Sequence, residues 1–168
     1  MTRIRPEQPA DIPGTRAVNL AAFETSTEAD LVDVLRERAD PIVSLVAEAG
    51  HAIVGHILFS PATLPGYPEL RIMGLAPMAV APARQRQGIG AALIHEGFEQ
   101  CRRLGCGVII VLGHAGYYPR FGFRPASQFG LRSQYEVPDE VFMALELVQG
   151  SLTGASGTIQ YHSAFADV

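Results

Sequence analysis

Hydrophobic positions change their spacing several times along the chain, and each change marks an element. Residues 3–5 read as a short extended start. Residues 12–23 carry helical spacing, with Asp11 placed to cap them and Pro13 in the first turn. Thr27 and Asp30 match a capping box, and Leu31, Val34, Leu35 and Arg38 follow at helical spacing. Residues 42–47 and 52–60 read as two strands, joined through Glu48-Ala49-Gly50-His51 as a hairpin. A loop over residues 61–68 leads to a strand over residues 70–80. Within that strand Gly74 and Pro77 suggest a bulge or a disrupted edge.

The next periodic stretch, residues 88–104, predicts a helix with an apolar stripe of Leu93, Ile94, Phe98, Cys101 and Leu104. Arg102 and Arg103 fall in its last turn, where cations suit the helix dipole, and Gly105 can end it in the left-handed conformation. Residues 108–112 form a continuous apolar run, as expected of a buried parallel strand. Residues 70–112 therefore predict one βαβ unit. Residues 114–121 read as a short turn or helix, Phe123 opens a further strand, and residues 141–148 read as another. The tail from Gly150 begins rich in Gly, Ser and Thr, looks flexible over residues 150–157, and offers residues 158–161 as a short strand. The order predicts an α/β chain with no internal repeat and no clear linker.

Composition narrows the classes. At 168 residues, 48% hydrophobic and 18% charged, the chain fits one globular domain. A net charge of −4 supplies no overall drive toward nucleic acid. No apolar run is long enough to span a bilayer, and the first residues lack a signal-peptide core, so the expected compartment is the cytoplasm. All 13 basic residues are arginine, which removes Schiff-base chemistry and any lysine-centred phosphate loop. Cys101 and Cys106 are the only cysteines and read as small buried hydrophobes rather than a zinc or disulfide framework. His51 and His56 lack metal-ligand spacing, and His95-Glu96 lacks the second histidine of H-E-x-x-H, so no metal is expected.

One stretch asks for a specific explanation. Arg84 to Leu93, RQRQGIGAAL, places two glycines at the mouth of a helix that follows a strand. A helix start presents unpaired N–H groups and the positive end of a dipole, an anion site that needs no lysine. Gly88 and Gly90 would let a diphosphate approach those amides, with Arg84 and Arg86 at the periphery. Glycine spacing alone favours an ordinary connection in which the glycines merely ease the turn. A Walker loop is excluded because Ala91-Ala92 stand where Lys-Ser/Thr is required. A dinucleotide loop lacks its third glycine.

Gln85-Arg86-Gln87-Gly88-Ile89-Gly90 matches Q/R-x-x-G-x-G/A, and the chain here resembles the GNAT superfamily of N-acetyltransferases. Met78-Ala79-Val80-Ala81-Pro82 looks like the strand end that leads into that signature. Tyr118-Pro119-Arg120-Phe121-Gly122-Phe123 resembles the family's second segment, Y-x-x-x-G-F, one helix and one strand further on. The likeness covers roughly residues 4–147, and the GYYPRFGF run and the ending GTIQYHSAF resemble a bacterial subgroup with an extended C-terminus. The resemblance implies a GNAT-like α/β fold, a central mixed, twisted sheet of about seven strands flanked by helices. It also implies a domain over residues 1–148 with an extension, 149–168, packed on it.

The resemblance further implies acetyl-CoA as co-substrate, lying where the strands ending near Val80 and Leu112 splay apart. Met78, Ala79 and Val80 would line the pantetheine arm. Backbone amides of Gln85, Arg86, Gln87, Gly88, Ile89, Gly90 and Ala91 would hold the diphosphate. The Met78 N–H would face the thioester oxygen, and Tyr118 would serve the leaving thiolate and contact the cofactor. A base for the amine is open among Glu24, His56, Glu69 and His114, with His114 favoured because it follows the strand lining the cleft. The acceptor is a small-molecule amine or a peptide amine. Dimers are common in the family, so a homodimer is an expectation; neither nucleic acid nor membrane is an expected partner.

Three other classes compete with this reading. A non-catalytic acyl-CoA-binding or sensing module would share the fold, and the intact Tyr118 argues against it. A nucleic-acid-binding domain would use Arg84, Arg86, Arg102 and Arg103, against the acidic charge and without interleaved aromatics. A serine or cysteine hydrolase lacks any G-x-S-x-G.

Overall fold

The computed structural model describes residues 1–167, the last of them by its backbone alone. Its strands are β1 (Thr2–Pro6), β2 (Val43–Ala49), β3 (Ala52–Ala62), β4 (Ile72–Val80), β5 (Val108–Leu112), β6 (Arg124–Pro125), β7 (Leu131–Ser133), β8 (Phe142–Glu146) and β9 (Gly157–Ile159). Its α-helices are α1 (Ile12–Ala22), α2 (Thr27–Arg38) and α3 (Ile89–Arg103). Seven strands make one mixed sheet in the order β1-β2-β3-β4-β5-β8-β6, and β7 pairs with β9 separately. β4 and β5 are parallel and joined by α3, as the βαβ reading requires. The β1–β2, β2–β3, β5–β8 and β6–β8 pairs are antiparallel. The chain falls into two compact units, and β4 runs from one into the other.

The first unit comprises residues 1–60, residues 76–100 and the segment from Ser163. The apolar face of α2, Leu31, Val32 and Leu35, packs with Leu58 of β3 and with Ala164. β3 is buried over nearly its whole length, which explains its unbroken apolar run from Ile57 to Phe59. α3 passes close over it. An added Cβ at Gly55 would stand 3.1 Å from Ile89 and 3.2 Å from Leu93, and one at Gly97 would clash with the edge of the Phe59 ring. That contact explains a glycine in mid-helix. Gly97→Ala is expected to destabilise the fold by about 1–3 kcal/mol through overpacking, despite better helix propensity; urea denaturation against wild type measures it.

A polar network is buried in the same unit. His56, wholly buried on β3, lies 3.3 Å from the Asn19 amide at Nδ1 and 2.9 Å from Ser44 Oγ at Nε2. Asn19 also donates to the Thr15 carbonyl, and Ser44 donates to Glu7, so the network assigns His56 as the neutral Nε2–H tautomer. Glu7 in turn accepts two bonds from Arg36. Burial pushes the His56 pKa down to about 4, Glu7 opposing and Arg36 assisting. For Glu7, burial alone would raise the pKa, but Arg36, Thr15 and His56 together outweigh it and the carboxyl sits below its ordinary value. Both groups therefore bind fewer protons folded than unfolded. The His56 part is complete above its unfolded value of about 6.5 and is lost as pH falls toward about 4, whereas the Glu7 part holds until the ordinary carboxyl range and is lost only below it. We expect the melting temperature to drop steadily over that window. His56→Gln should flatten the upper part of the slope, and an unchanged slope would show that other groups carry it.

The second unit comprises residues 61–75 and 101–162. Its core gathers Ile72, Val108, Ile110, Phe142, Leu152 and Ile159. α3 ends here in a Schellman turn. The Cys106 N–H bonds the Cys101 carbonyl, the Gly105 N–H bonds the Arg102 carbonyl, and Gly105 has φ +81°. Cys101 and Cys106 are buried free thiols, as the composition implied.

Several local expectations are corrected. Asp11 does not cap α1; its carboxylate turns back to the Gln8 N–H and the Arg5 guanidinium. The Thr27–Asp30 capping box does not form, because α2 starts after Ser26, whose hydroxyl bonds Asp30 directly. Leu104 lies beyond α3 and is exposed, not part of its buried stripe. Gly74 creates no bulge in the β4–β5 ladder: it pairs in register with Ile110, and its missing side chain leaves room for the Tyr161 ring. The stretch after Phe123 supplies only the two residues of β6. The tail does not keep the flexible look of residues 150–157 either. It buries Leu152, Ala155 and Ile159, and β9 pairs in parallel with β7. Removing residues 157–168 would therefore strip core from this unit rather than trim a surface.

Candidate active site

Pro82 ends β4 and sets a short 3-10 turn, Pro82–Arg84, which the Ala81 N–H anchors to the Val54 carbonyl. The chain then takes an unusual course. Arg86 has φ +64° and Gly88 has φ +84°, with Gln87 between them in the ordinary region. Alternating handedness of this kind turns successive N–H groups toward one concave side, and α3 adds its positive end immediately after. A non-glycine left-handed residue costs about 1–2 kcal/mol, so Arg86 is held there by its surroundings. Gln85 Nε2 bonds the Val80 carbonyl at 3.1 Å, and the Ala92 N–H bonds the Gly88 carbonyl at 3.0 Å. Gln85, Arg86, Gln87 and Gly88 are exposed, Gly90 and Ala91 are partly exposed, and Ile89 is buried as an anchor. No acidic residue occurs from Ala81 to His95, while Arg84 and Arg86 bring two positive charges.

The structure adds a second demand for glycine at position 88. A Cβ there would meet no protein atom within 4 Å. The positive φ by itself favours glycine, and the space a side chain would fill is left open. Upstream on β4, Met78 and Val80 are half-buried and alternate with buried Pro77 and Ala79, so one face of this strand end stays partly open.

The second motif is a self-supporting turn. β5 ends at Leu112, and the Gly113 N–H bonds the Val141 carbonyl at 2.9 Å. The His114 carbonyl accepts from the N–H groups of Tyr117 and Tyr118, and a 3-10 turn follows over Tyr118–Phe121. Gly122 closes it with φ +102°. Tyr118 is 9% exposed, its ring edge-on to Tyr117 at 5.2 Å and to Phe123 at 5.7 Å. Burial, reinforced by Tyr117, pushes its pKa up to about 12, so the hydroxyl is a fixed donor throughout the neutral range. Tyr117 is less buried, and burial raises its pKa against the pull of Arg120.

The other candidates separate by environment. Glu24, Glu69 and His114 are exposed, and His114 directly follows the β5 end. His56 is enclosed with both ring nitrogens engaged and unable to meet an acceptor. Sequence reasoning missed Gly113, where a Cβ would clash with the edge of the Tyr118 ring, and Arg120, which grips the turn. The aromatic density of GYYPRFGF was the available signal. Among the described residues no group of His, Cys, Asp or Glu is arranged to hold a metal, and no helix is long and apolar enough to cross a membrane.

Comparison with known proteins agrees with this geometry. The family model described as an acetyltransferase (GNAT) domain matches residues 40–125. A protein of Escherichia coli strain K12, named uncharacterized N-acetyltransferase YjhQ, is 43% identical over 94% of this chain and 88% of its own length. The crystal structure of YhbS, a GNAT family N-acetyltransferase from Escherichia coli in complex with CoA, superposes with a TM-score of 0.93 at 33% identity, covering 98% of this chain and 92% of that one. A GNAT family acetyltransferase from Brucella melitensis in complex with acetyl-CoA gives 0.78 at 36% identity, with 98% of each chain covered. With both signature segments in place and relatives matched along nearly the whole length, the chain belongs to the GNAT family of acetyltransferases.

Proposed function

We propose that this protein transfers an acetyl group from acetyl-CoA to a primary amine by direct attack in a ternary complex. The observation that carries the reading is the loop before α3, where Arg86 and Gly88 are both left-handed and no acidic residue opposes an anion. Amides from Gln85 to Ala91 hold the diphosphate, and Met78, Ala79 and Val80 line the pantetheine arm. The nitrogen lone pair attacks the thioester carbonyl, a C–N bond forms, and the C–S bond breaks. The Met78 N–H donates to the carbonyl oxygen as it gains charge. Tyr118 donates to the departing sulfur, and His114, directly or through water, takes the amine proton.

Complexes of the Escherichia coli and Brucella relatives with CoA and acetyl-CoA support the donor. The acceptor is a small-molecule or peptide amine, met in the cytoplasm. The acetyltransferase domain spans residues 1–148, and residues 149–168 are an extension that shapes the acceptor side. The test is calorimetric titration with acetyl-CoA, followed by an untargeted amine screen read by thiol release. Binding with acceptor-dependent thiol release is the expected result. Binding with no release by any amine would instead favour an acyl-CoA-sensing module, and no binding would end both readings.

A further inference from the structure

We propose that Arg120 is a positioning residue for acetyl transfer, holding Tyr118 in place through the turn that carries it. The proposal rests on the assignment of Tyr118 as donor to the leaving sulfur. Arg120 lies two residues after Tyr118 on the 3-10 turn, and its side chain folds back over that turn. Nε donates to the Tyr117 carbonyl at 2.9 Å, and Nη2 donates to the Gly116 carbonyl at 3.2 Å. The guanidinium carbon stands 4.7 Å from the centre of the Tyr117 ring. One planar group thus satisfies two turn carbonyls and covers the ring that packs edge-on against Tyr118.

The rest of the turn shows why such a clamp is needed. A 3-10 segment of four residues has weak internal bonding. It is flanked by Gly116, beside which a Cβ would meet nothing within 4 Å, and by Gly122 in the left-handed region. On its inner side Tyr118 is fixed by Phe123 and by the bare backbone of Gly113. On its outer side the contact is Tyr117, whose ring is held in turn by Phe121 at 5.2 Å and by the Arg120 guanidinium. Arg120 is itself exposed, so its bonds are not a consequence of core packing. Lysine could not replace it, since a single ammonium cannot bridge both carbonyls and lie flat on the ring.

The experiment is a double-mutant cycle with an amine from the screen, using wild type, Arg120→Ala, Arg120→Lys, Tyr118→Phe and the Arg120→Ala/Tyr118→Phe pair. Arg120→Ala should lower kcat about 10-fold, the order expected from a displaced catalytic group. The KM for acetyl-CoA should stay within about two-fold. Arg120→Lys should restore little. With Tyr118 already Phe, removing Arg120 should cost almost nothing further, because the two act as one unit. Equal losses in both backgrounds would overturn the positioning role alone. Full turnover in Tyr118→Phe would overturn the donor assignment and the positioning role with it.

A second readout needs no acceptor. In protein carrying 13C at tyrosine Cζ, the Tyr118 signal is identified by its loss in Tyr118→Phe. Arg120→Ala should move that signal toward the position of an exposed tyrosine, while Tyr67, Tyr135 and Tyr161 stay in place. An unmoved Tyr118 signal would overturn the proposal.

Discussion

Tyr118→Phe is expected to lower kcat by a factor of about 10 to 1000, with acetyl-CoA affinity little changed. The substitution removes only a hydroxyl, and the ring keeps its contacts with Tyr117 and Phe123. The size of the effect depends on what the hydroxyl does. With its pKa pushed up to about 12 by burial, and a thiol near 8.5, complete transfer of the proton would be uphill by about 3.5 units, or roughly 5 kcal/mol. Ordinary phenol at about 10 would have left only about 2 kcal/mol. Tyr118 is therefore better suited to donate a strong hydrogen bond to the departing sulfur than to surrender its proton, and solvent can protonate the thiolate afterwards. This has a consequence for the pH profile. The alkaline limb of wild-type kcat should not come from Tyr118, which stays protonated well past pH 9, so Tyr118→Phe should scale the profile down without moving that limb. Tyr117→Phe should do much less. Similar losses for the two substitutions would make Tyr118 a packing residue.

Gly88→Val is expected to weaken acetyl-CoA binding about 10- to 100-fold in a protein that remains folded. Valine is β-branched, and at φ +84° its backbone is strained by about 1–3 kcal/mol. The side chain itself would have open space, so the loop can relieve that strain by rotating away. Rotation would turn the Gln87 and Gly88 amides out of the concave array before α3. The cost falls on binding rather than on stability, because Gln85 to Gly88 are exposed and bury no core. Arg86→Gly offers a complementary check: it removes a charge but favours the left-handed backbone, so its loss should shrink with added salt. Calorimetry at two ionic strengths separates the two contributions. Unchanged affinity in folded Gly88→Val would mean that the diphosphate is held elsewhere.

Much of the scaffold could be read locally. The continuous apolar runs in β3 and β5 betray strands buried on both faces, and the stripe Leu93, Ile94, Phe98 and Cys101 betrays α3. Each is a repeat of side-chain burial that the backbone geometry imposes at fixed spacing. Gly105 was legible for the same reason, since a Schellman turn is built from six consecutive residues. The two signature segments were legible because each lies within a single turn. The errors fall where a distant partner competes with a local one. Asp11 could cap α1 or bind Arg5, and only the pairing of β1 with β2 brings Arg5 alongside Glu48 as well, making one charged cluster. Asp30 could close a capping box or meet Arg16 and Ser26, and the packing of α1 on α2 decides it.

The sequence by itself determined that the chain is an α/β protein with a βαβ unit, a lysine-free glycine loop before α3 and an aromatic turn carrying Tyr118. Those features are fixed by the order and spacing of side chains within a few residues. Only the tertiary structure decided that Gly97 makes room for Phe59, Gly74 for Tyr161 and Gly113 for Tyr118. It alone decided that His56 is an enclosed structural imidazole, and that Gly88 takes a left-handed backbone angle. The tail, flexible by composition, became core once β7 offered β9 a partner and Ile159 a buried place. The physical reason is common to all of these. A missing Cβ, a buried ring nitrogen or an unpaired strand edge has no meaning until another segment arrives beside it, and what arrives is set by contacts far apart in the chain.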